Sequence, residues 1–249
     1  MAEMTRSPAD ARRGLGVAAL ILTSWAISVG WLIVTPIAAL PIWAVPLLMV
    51  WMTFLYTGLF ITAHDAMHGT VAPRYPALND AVGAIAVGVY AAFRFKTLRA
   101  AHVLHHRHAG TPNQDPDFHD GRRTGLVAWY LTFLVKYVAW PQIAIMAIAF
   151  NVLQHLLGFS AVNLVLFWVV PSLLSTLQLF IVGTYLPHRE GDGHDNAHHA
   201  RSLDLPRWLS LLACYHFGYH LEHHARPGVP WWRLPQARAA LSGGSRDVG

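Results

Sequence analysis

The chain has 249 residues, of which 54% are hydrophobic and only 12% charged, and its formal net charge is +5. This composition indicates a membrane protein, and because the basic residues are dispersed without a stacking surface or recognition helix, it excludes a nucleic-acid-binding protein. The single cysteine, Cys214, excludes an internal disulfide, a cysteine-type zinc site and a thiolate-held iron–sulfur cluster.

Four apolar stretches without Asp, Glu, Lys or Arg are predicted to cross the membrane as helices. They are residues 14–34, 42–63, 142–157 and 161–186. The first lacks the short apolar core and the small-residue cleavage site of a signal peptide, so it is predicted to be retained. Residues 1–249 are therefore predicted to form one all-α membrane-embedded domain.

Two further apolar stretches are predicted not to cross. Residues 81–93 are too few to span the hydrocarbon core and are expected to be re-entrant or to lie in the interface. Residues 124–140 carry Lys136 and end at Trp140-Pro141, which indicates an interfacial helix before the third span.

Histidines recur in three clusters at helical spacing. His64 and His68 are four residues apart, and two trios follow at i, i+3 and i+4, which places each cluster on one helix face. The trios are His102, His105 and His106, and His220, His223 and His224. With His188 at the exit of the last span, nine imidazoles are available. Because one metal takes four to six ligands, nine predict two metals in one shared site.

The predicted topology agrees with the histidine spacing. Four spans place both termini on one side, together with every charged residue, while the short connections at 35–41 and 158–160 carry no charge. The Lys/Arg bias assigns the termini and the histidine clusters to the cytoplasmic face. A metal transporter, the alternative from another class, would instead hold its ion near the bilayer midplane.

Imidazole alone does not select the metal, since zinc and copper bind it more tightly than ferrous iron. Nitrogen ligands, open positions and an apolar substrate space favour iron and oxygen activation, whereas zinc would need a hydrolysable substrate. The sequence contains no Ser/His/Asp or Cys/His arrangement that would indicate such a hydrolase.

The three clusters resemble the histidine boxes of the membrane di-iron desaturase/hydroxylase superfamily. The sequence segments around these boxes point to a narrower resemblance within that superfamily. They resemble the bacterial β-carotene ketolases over roughly residues 14–233. The segments that carry this resemblance are Phe60-Ile-Thr-Ala-His-Asp-Ala-Met-His-Gly69, Tyr90-Ala-Ala-Phe-Arg-Phe95, Asp115-Pro-Asp-Phe118, Gly183-Thr-Tyr-Leu-Pro-His-Arg189, Asp195-Asn-Ala-His-His-Ala-Arg-Ser202 and Tyr215-His-Phe-Gly-Tyr-His-Leu-Glu-His-His224.

This resemblance implies O2-dependent oxidation of the ring methylene at carbon 4 of β-carotene to a ketone, giving echinenone and canthaxanthin. Two successive hydroxylations and a dehydration are implied, and conversion of zeaxanthin to astaxanthin stays open. The implied cofactors are two Fe2+ ions, with O2 as co-substrate and electrons from an external ferredoxin-type donor. The carotenoid would come from the lipids of the bacterial inner membrane. The alternatives are a fatty-acyl or alkane desaturase or hydroxylase, or a carotenoid ring hydroxylase.

Further polar residues are assigned supporting roles. His188 matches a histidine that acyl-chain desaturases place after their last span as an additional ligand. Asp65, Asp117 and Glu222 are candidates to accept the second N–H of metal-bound imidazoles, with salt bridges or helix caps as the alternative. His198, His199 and His216 are possible additional residues of the site, with surface or structural roles as the alternative.

Overall fold

The computed structural model describes residues 8–189 and 196–244, and these residues form helices without any β-strand. In chain order the helices are α1 (Pro8–Val34), α2 (Ala44–Met67), α3 (Pro76–Ala91), α4 (Phe95–His108), α5 (Leu126–Tyr137), α6 (Trp140–Leu156), α7 (Ala161–His188), α8 (Arg207–Cys214), α9 (His220–Ala225) and α10 (Leu234–Gly244), with 3-10 turns at Ile37–Ala39 and Trp231–Arg233. The predicted all-α fold class is confirmed.

Helix α2 lies at the centre of the fold and packs against α1, α3 and α7. The core between these helices contains fully buried Tyr56, Leu59 and Phe167. On the outer faces, large apolar side chains stay exposed, as at Leu20 and Ile27, each 67% exposed. A helix that is apolar on both its inner and outer faces is typical of a membrane environment, because no polar face is offered to water.

Three of the four predicted spans coincide with single helices that are long and apolar enough to cross: Ala9–Val34, Ala44–Met67 and Ala161–His188. The predicted span at 142–157 lies in α6, which is a candidate only together with α5, at a bend of 86°. Helices α3 and α4 form a second such pair, bent by 102°. The described residues therefore offer three to five candidate spans, and the number four stays a prediction.

Side-chain contacts define the two ends of the bundle. At one end the Asn163 side-chain amide donates to the Leu32 carbonyl at 2.7 Å and to the Thr35 carbonyl at 2.6 Å, which joins the start of α7 to the end of α1. At the other end Arg233 pairs with Asp10 at 2.7 Å. The beginning of α1 and the C-terminal segment therefore meet at the end where α2 and α7 finish.

The chain ends themselves, residues 1–7 and 245–249, lie outside the described residues, and their predicted cytoplasmic placement is not visible there. Asp195, the first residue of one segment that carries the family resemblance, also lies outside the described residues.

Candidate metal centre

Four elements deliver the predicted histidines to one end of the bundle: the end of α2, helix α4, the end of α7 and helix α9. Within each of two groups, one nitrogen per ring lies within 4.8 Å of all the others. The first group is His64, His68, His102, His106 and His223, and the second group is His105, His188, His220 and His224. All nine sequence-predicted imidazoles are thus brought together, and their roles as ligands stay a prediction.

Helices α4 and α9 serve both groups. Adjacent residues on a helix point about 100° apart, since the helix has about 3.6 residues per turn. His105 therefore faces the second group while His106 faces the first, and His223 and His224 divide in the same way. Because α4 and α9 each contribute histidines to both groups, the two groups lie next to each other.

The short helix α9 is oriented by the turn before it and by one glycine on α7. Tyr215 and His216 have φ of 49° and 62°, the left-handed region, and this backbone redirects the chain after α8. The Phe217 ring then rests on α7 where Gly183 lacks a side chain, because a Cβ there would lie 2.1 Å from the ring. The same ring lies 4.7 Å from the His64 ring and 5.1 Å from the His220 ring, measured between centroids.

The spacing of the ring nitrogens fits metal coordination. In the first group the Nε2 atom of His102 lies 2.7 Å from that of His68 and 3.1 Å from that of His106. In the second group the Nε2 atom of His224 lies 3.1 Å from that of His105 and 3.0 Å from that of His220. Two imidazole nitrogens bound at right angles, each about 2.1 Å from one ion, would lie about 3.0 Å apart.

Hydrogen bonds on the far side of two rings fix which nitrogen carries the proton. His105 donates from Nδ1 to the Asp115 carboxylate at 2.9 Å, and His188 donates from Nδ1 to the His199 carbonyl at 2.9 Å. In neutral rings, the form that metals require, the Nε2 lone pairs of His105 and His188 then point into the second group. Lone pairs that converge in this way fit a cation between them.

The remaining rings support the same interpretation. The Nε2 atom of His64 is buried and has no hydrogen-bond partner among the described residues. Burial, with the neighbouring histidines adding to it, lowers the pKa of His220, His223 and His224 well below the ordinary value. These rings are therefore neutral near pH 7 and available as ligands.

Asp115 is the carboxylate that the sequence analysis missed. Besides His105, it accepts the backbone N–H of Asp117 at 2.8 Å and of Gly110 at 3.0 Å. Burial acts to raise the pKa of Asp115, but the hydrogen bond and charge of His105, together with the two backbone N–H groups, lower it further, so the pKa lies below its ordinary value. The signal available in the sequence was the pair Asp115-Pro116-Asp117, in which either carboxylate could have been chosen.

Asp117, the predicted member of that pair, has different neighbours. Its Oδ1 atom accepts the Tyr137 hydroxyl, and its Oδ2 atom lies 3.8 Å from Nδ1 of His105, too far for a hydrogen bond. Burial raises the pKa of Asp117. Among the described residues, Asp117 therefore forms no hydrogen bond to a histidine, although its Oδ2 atom lies at ion-pair distance from His105.

The other two predicted carboxylates hold the surrounding chain. An Asp65 oxygen accepts the backbone N–H of Trp231 at 3.2 Å, while its other oxygen is 3.8 Å from Nδ1 of His64. The Glu222 carboxylate accepts the Ser202 hydroxyl and pairs with Arg238 at 3.2 Å. In the described part of the chain, neither carboxylate forms a hydrogen bond to an imidazole of the two groups.

The three additional histidines lie outside both groups. His198 is half-buried, with its ring 6.1 Å from that of His224. His199 is exposed at its side chain and contributes its carbonyl to His188. His216 is buried and stacks on Tyr219 at 5.6 Å between ring centroids.

A small cavity of about 80 Å³ touches the first group. His64 and His102 form part of its wall. Most of the other residues in the wall are apolar, such as Phe60, Met67 and Leu179. The side chains of Phe93, Leu98 and Tyr137 line both this cavity and a larger one of about 710 Å³ between α4, α6 and the loop after α4. We refer to these as the inner cavity and the outer cavity.

Comparison with known proteins identifies the family. The fatty acid desaturase family model matches residues 40–150 and 135–248. The β-carotene ketolase of Paracoccus sp. (strain PC1) is 45% identical over 229 residues, covering 90% of this chain and 91% of that protein. The zeaxanthin 4-ketolase of Chlamydomonas reinhardtii is 43% identical over 199 residues, covering 79% of this chain and 44% of that protein.

The desaturase alternative finds weaker support. The sn-1 oleoyl-lipid 12-desaturase of Anabaena variabilis is 23% identical over 252 residues, covering 82% of this chain and 71% of that protein. The ketolases are thus about twice as similar to this chain in sequence identity as this desaturase is. The chain belongs to the β-carotene ketolases within the fatty acid desaturase family.

Proposed function

We propose that this enzyme oxidises the ring methylene of β-carotene at carbon 4 to a ketone. The observation that carries the proposal is the pair of histidine groups beside an apolar cavity, in a chain that is 45% identical to a β-carotene ketolase over 90% of its length. Zeaxanthin, whose rings are already hydroxylated, is an alternative substrate because a related protein is named a zeaxanthin 4-ketolase.

Two Fe2+ ions are the proposed cofactors, one in each histidine group. Bound iron would activate O2 for attack on the allylic C–H bond at carbon 4, which no side chain of the protein can do. Each oxidation takes one O2, two electrons and two protons, inserts one oxygen atom into a C–H bond and releases one water. A second oxidation of the same carbon gives a geminal diol, which loses water to form the ketone.

The chain's own part in this chemistry is to hold one carbon near the histidines twice and to keep water away. The apolar wall of the inner cavity suits a hydrocarbon ring, and positioning decides which C–H bond reacts. At about 80 Å³ the inner cavity is smaller than the roughly 150 Å³ of a cavity that binds benzene. Ring entry therefore requires the shared wall of Phe93 and Tyr137 to move and join the inner cavity to the outer one.

The enzyme is proposed to lie in the bacterial inner membrane with both termini and the histidine groups at the cytoplasmic face. Charge distribution supports this orientation, since the two short uncharged connections lie at the opposite end of the predicted topology. A reduced ferredoxin-type protein in the cytoplasm would then supply the electrons, and the substrate would enter from the lipid bilayer.

The test is expression in a bacterial host that already makes β-carotene, followed by analysis of the extracted pigments. We expect echinenone and canthaxanthin from the parent and neither from His105→Ala, with both proteins found in the membrane fraction at similar levels. Unchanged carotenoids together with altered acyl chains or alkanes in the parent would favour a desaturase or hydroxylase instead.

A further inference from the structure

Of the two carboxylates in the segment Asp115-Pro116-Asp117 after helix α4, only Asp115 forms a hydrogen bond with a histidine. Asp115 holds His105, whereas Asp117 forms part of the wall of the inner cavity together with His64 and His102. The Asp117 side chain is 15% exposed, so it is largely withdrawn from water in a wall that is otherwise mostly apolar. A carboxylate in such a place calls for a polar partner, because its desolvation is costly.

The neighbours of Asp117 satisfy only one of its two carboxylate oxygens. Its Oδ1 atom accepts the Tyr137 hydroxyl. Its Oδ2 atom has no hydrogen-bond donor among the described residues, since Nδ1 of His105 lies 3.8 Å away and donates to Asp115 instead. The side chain, which forms part of the cavity wall, can therefore accept a further hydrogen bond.

The other hydroxyl groups of the inner cavity are already engaged with helix α7. Tyr90 donates to the Ser172 carbonyl at 3.0 Å, and Thr176 donates to the same carbonyl at 2.9 Å. Apart from the two histidines, Asp117 and the Tyr137 hydroxyl that it binds are thus the polar groups of this wall that are not committed to the backbone.

The position of Asp117 is fixed from helix α5. The Trp129 indole donates to the Asp117 carbonyl at 2.8 Å, and Lys136 donates to the carbonyls of Pro116 and Phe118 at 2.9 and 3.1 Å. The residue is therefore held on both sides by its backbone, and its carboxylate is preorganised beside the histidines rather than placed there by chance packing.

We propose that Asp117 binds the alcohol formed at carbon 4 by the first oxidation and retains it for the second. This inference rests on the proposed function. The carbon that reacts is the one nearest the histidines, so its new hydroxyl is the first polar group of the substrate to appear beside the free oxygen of Asp117. A hydrocarbon ring gains nothing from this side chain, whereas the alcohol gains a hydrogen bond that strengthens its binding by about tenfold.

Retention explains how one site can carry the oxidation beyond the alcohol. After the first step, release of the alcohol into the bilayer competes with its second oxidation. Slower release favours the ketone, because most affinity differences between related complexes lie in the dissociation rate. Asp117 is accordingly a specificity-determining residue that sets the ratio of alcohol to ketone.

The test compares the parent with Asp117→Leu in the β-carotene-producing host. Leucine has a similar size and no acceptor, so we expect the ratio of 4-hydroxy to 4-keto pigments to rise about tenfold while iron per chain is unchanged. Asp120→Asn is the matched control, because it lies in the same loop and lines the outer cavity rather than the inner one. Its carboxylate accepts the backbone N–H groups of Arg122 and Arg123 and pairs with the Arg123 side chain at 4.0 Å. It should keep the parent ratio.

Two results would overturn the role of Asp117. One is a parent-like ratio in Asp117→Leu, and the other is an equal loss of alcohol and ketone accompanied by loss of iron, which would mean that Asp117 acts only through the metal site. If the parent itself forms no keto pigment, the proposed function fails instead, so the two failures are distinguishable.

A binding measurement keeps the inference testable even if Asp117→Leu does not fold. Purified parent holoenzyme, kept without O2 and reductant, is titrated with β-carotene, with its 4-hydroxy derivative and with its 3-hydroxy derivative, and quenching of tryptophan fluorescence is recorded. We expect the 4-hydroxy ring to bind about tenfold more tightly than the other two, and Asp117→Asn to reduce this preference. Equal affinities for all three pigments in the parent would refute the proposal.

Discussion

Removing the charge of Asp115 should release iron from the second histidine group. The carboxylate receives three N–H donors: His105 and Asp117 at Oδ1, and Gly110 at Oδ2. Asparagine in Asp115→Asn keeps only one accepting oxygen, and its NH2 group takes the place of the other. In either orientation of the amide, at least one of the three N–H donors therefore faces an NH2 group instead of an acceptor. His105 then loses the charged partner that fixes its ring, with no change in the number of imidazoles.

The expected size of this effect follows from the role of such partners in other metal sites. Loss of a group that orients a metal ligand costs about 10- to 100-fold in metal affinity or activity. This factor corresponds to about 1.4–2.8 kcal/mol. Because His105 belongs to the second group only, the loss should concern one of the two irons.

The assay is a chelator titration of purified protein, with iron per chain measured after each step. At chelator concentrations where the parent keeps both irons, Asp115→Asn should keep about one. Asp120→Asn serves as the control, since it removes a carboxylate from the same loop that has no contact with either group in the described residues. Equal iron retention by the two variants would refute the argument that Asp115 positions His105.

Two predictions concern the packing that delivers the histidines. Gly183→Ala would place a methyl group 2.1 Å from the Phe217 ring, and we expect about 1–3 kcal/mol of destabilisation and loss of iron. Gly30→Ala is the control and should behave like the parent, because an added Cβ there has nothing within 4 Å. A normal melting temperature and iron content in Gly183→Ala would contradict the packing argument. Asn163→Ala removes one buried and one partly buried hydrogen bond to the Leu32 and Thr35 carbonyls and should lower the melting temperature in detergent. Asn151→Ala, at an exposed residue whose amide donates within its own helix, should not lower it. Equal melting temperatures of the two asparagine variants would show that this contact does not stabilise the bundle.

Histidine spacing carried most of the information about the site. The rule that i, i+3 and i+4 share a helix face gathered eight imidazoles into three clusters, and the position of His188 at the exit of the last span added the ninth. Their number predicted two metals, and nine imidazoles in two groups are found at one end of the bundle. The spacing did not reveal that His105 and His106 belong to different groups. That division depends on how α4 is rotated relative to α9, which is a property of tertiary packing and not of either segment alone.

The carboxylates were harder to assign for a similar reason. Asp115 and Asp117 stand on either side of one proline and look equivalent in the sequence. Their roles differ because the loop turns Asp115 toward His105, while the Trp129 and Lys136 contacts hold Asp117 against the inner cavity. Such a loop conformation is set by contacts distant in sequence, so neither propensity nor spacing could distinguish the two residues.

Among the spans, long uninterrupted apolar stretches were predicted well and bent ones were not. The stretches at 14–34 and 161–186 each lie in one helix, and the stretch at 42–63 does so from Ala44 onward. The bend after α3 occurs at Ala92, where φ is 57°, a conformation that no glycine or proline at that position announces. Hydropathy measures how apolar a segment is, but it does not report the direction that the helix takes.

The central claim is that the two histidine groups hold two irons. Metal analysis of the purified parent should find two irons per chain, and the count should fall below two in His68→Ala, from the first group, and in His188→Ala, from the second. The exposed His155, outside both groups, provides the matched control His155→Ala, which should keep both irons. A parent that forms ketones with zinc or with a single iron, or a His188→Ala variant that keeps two irons, would contradict the account.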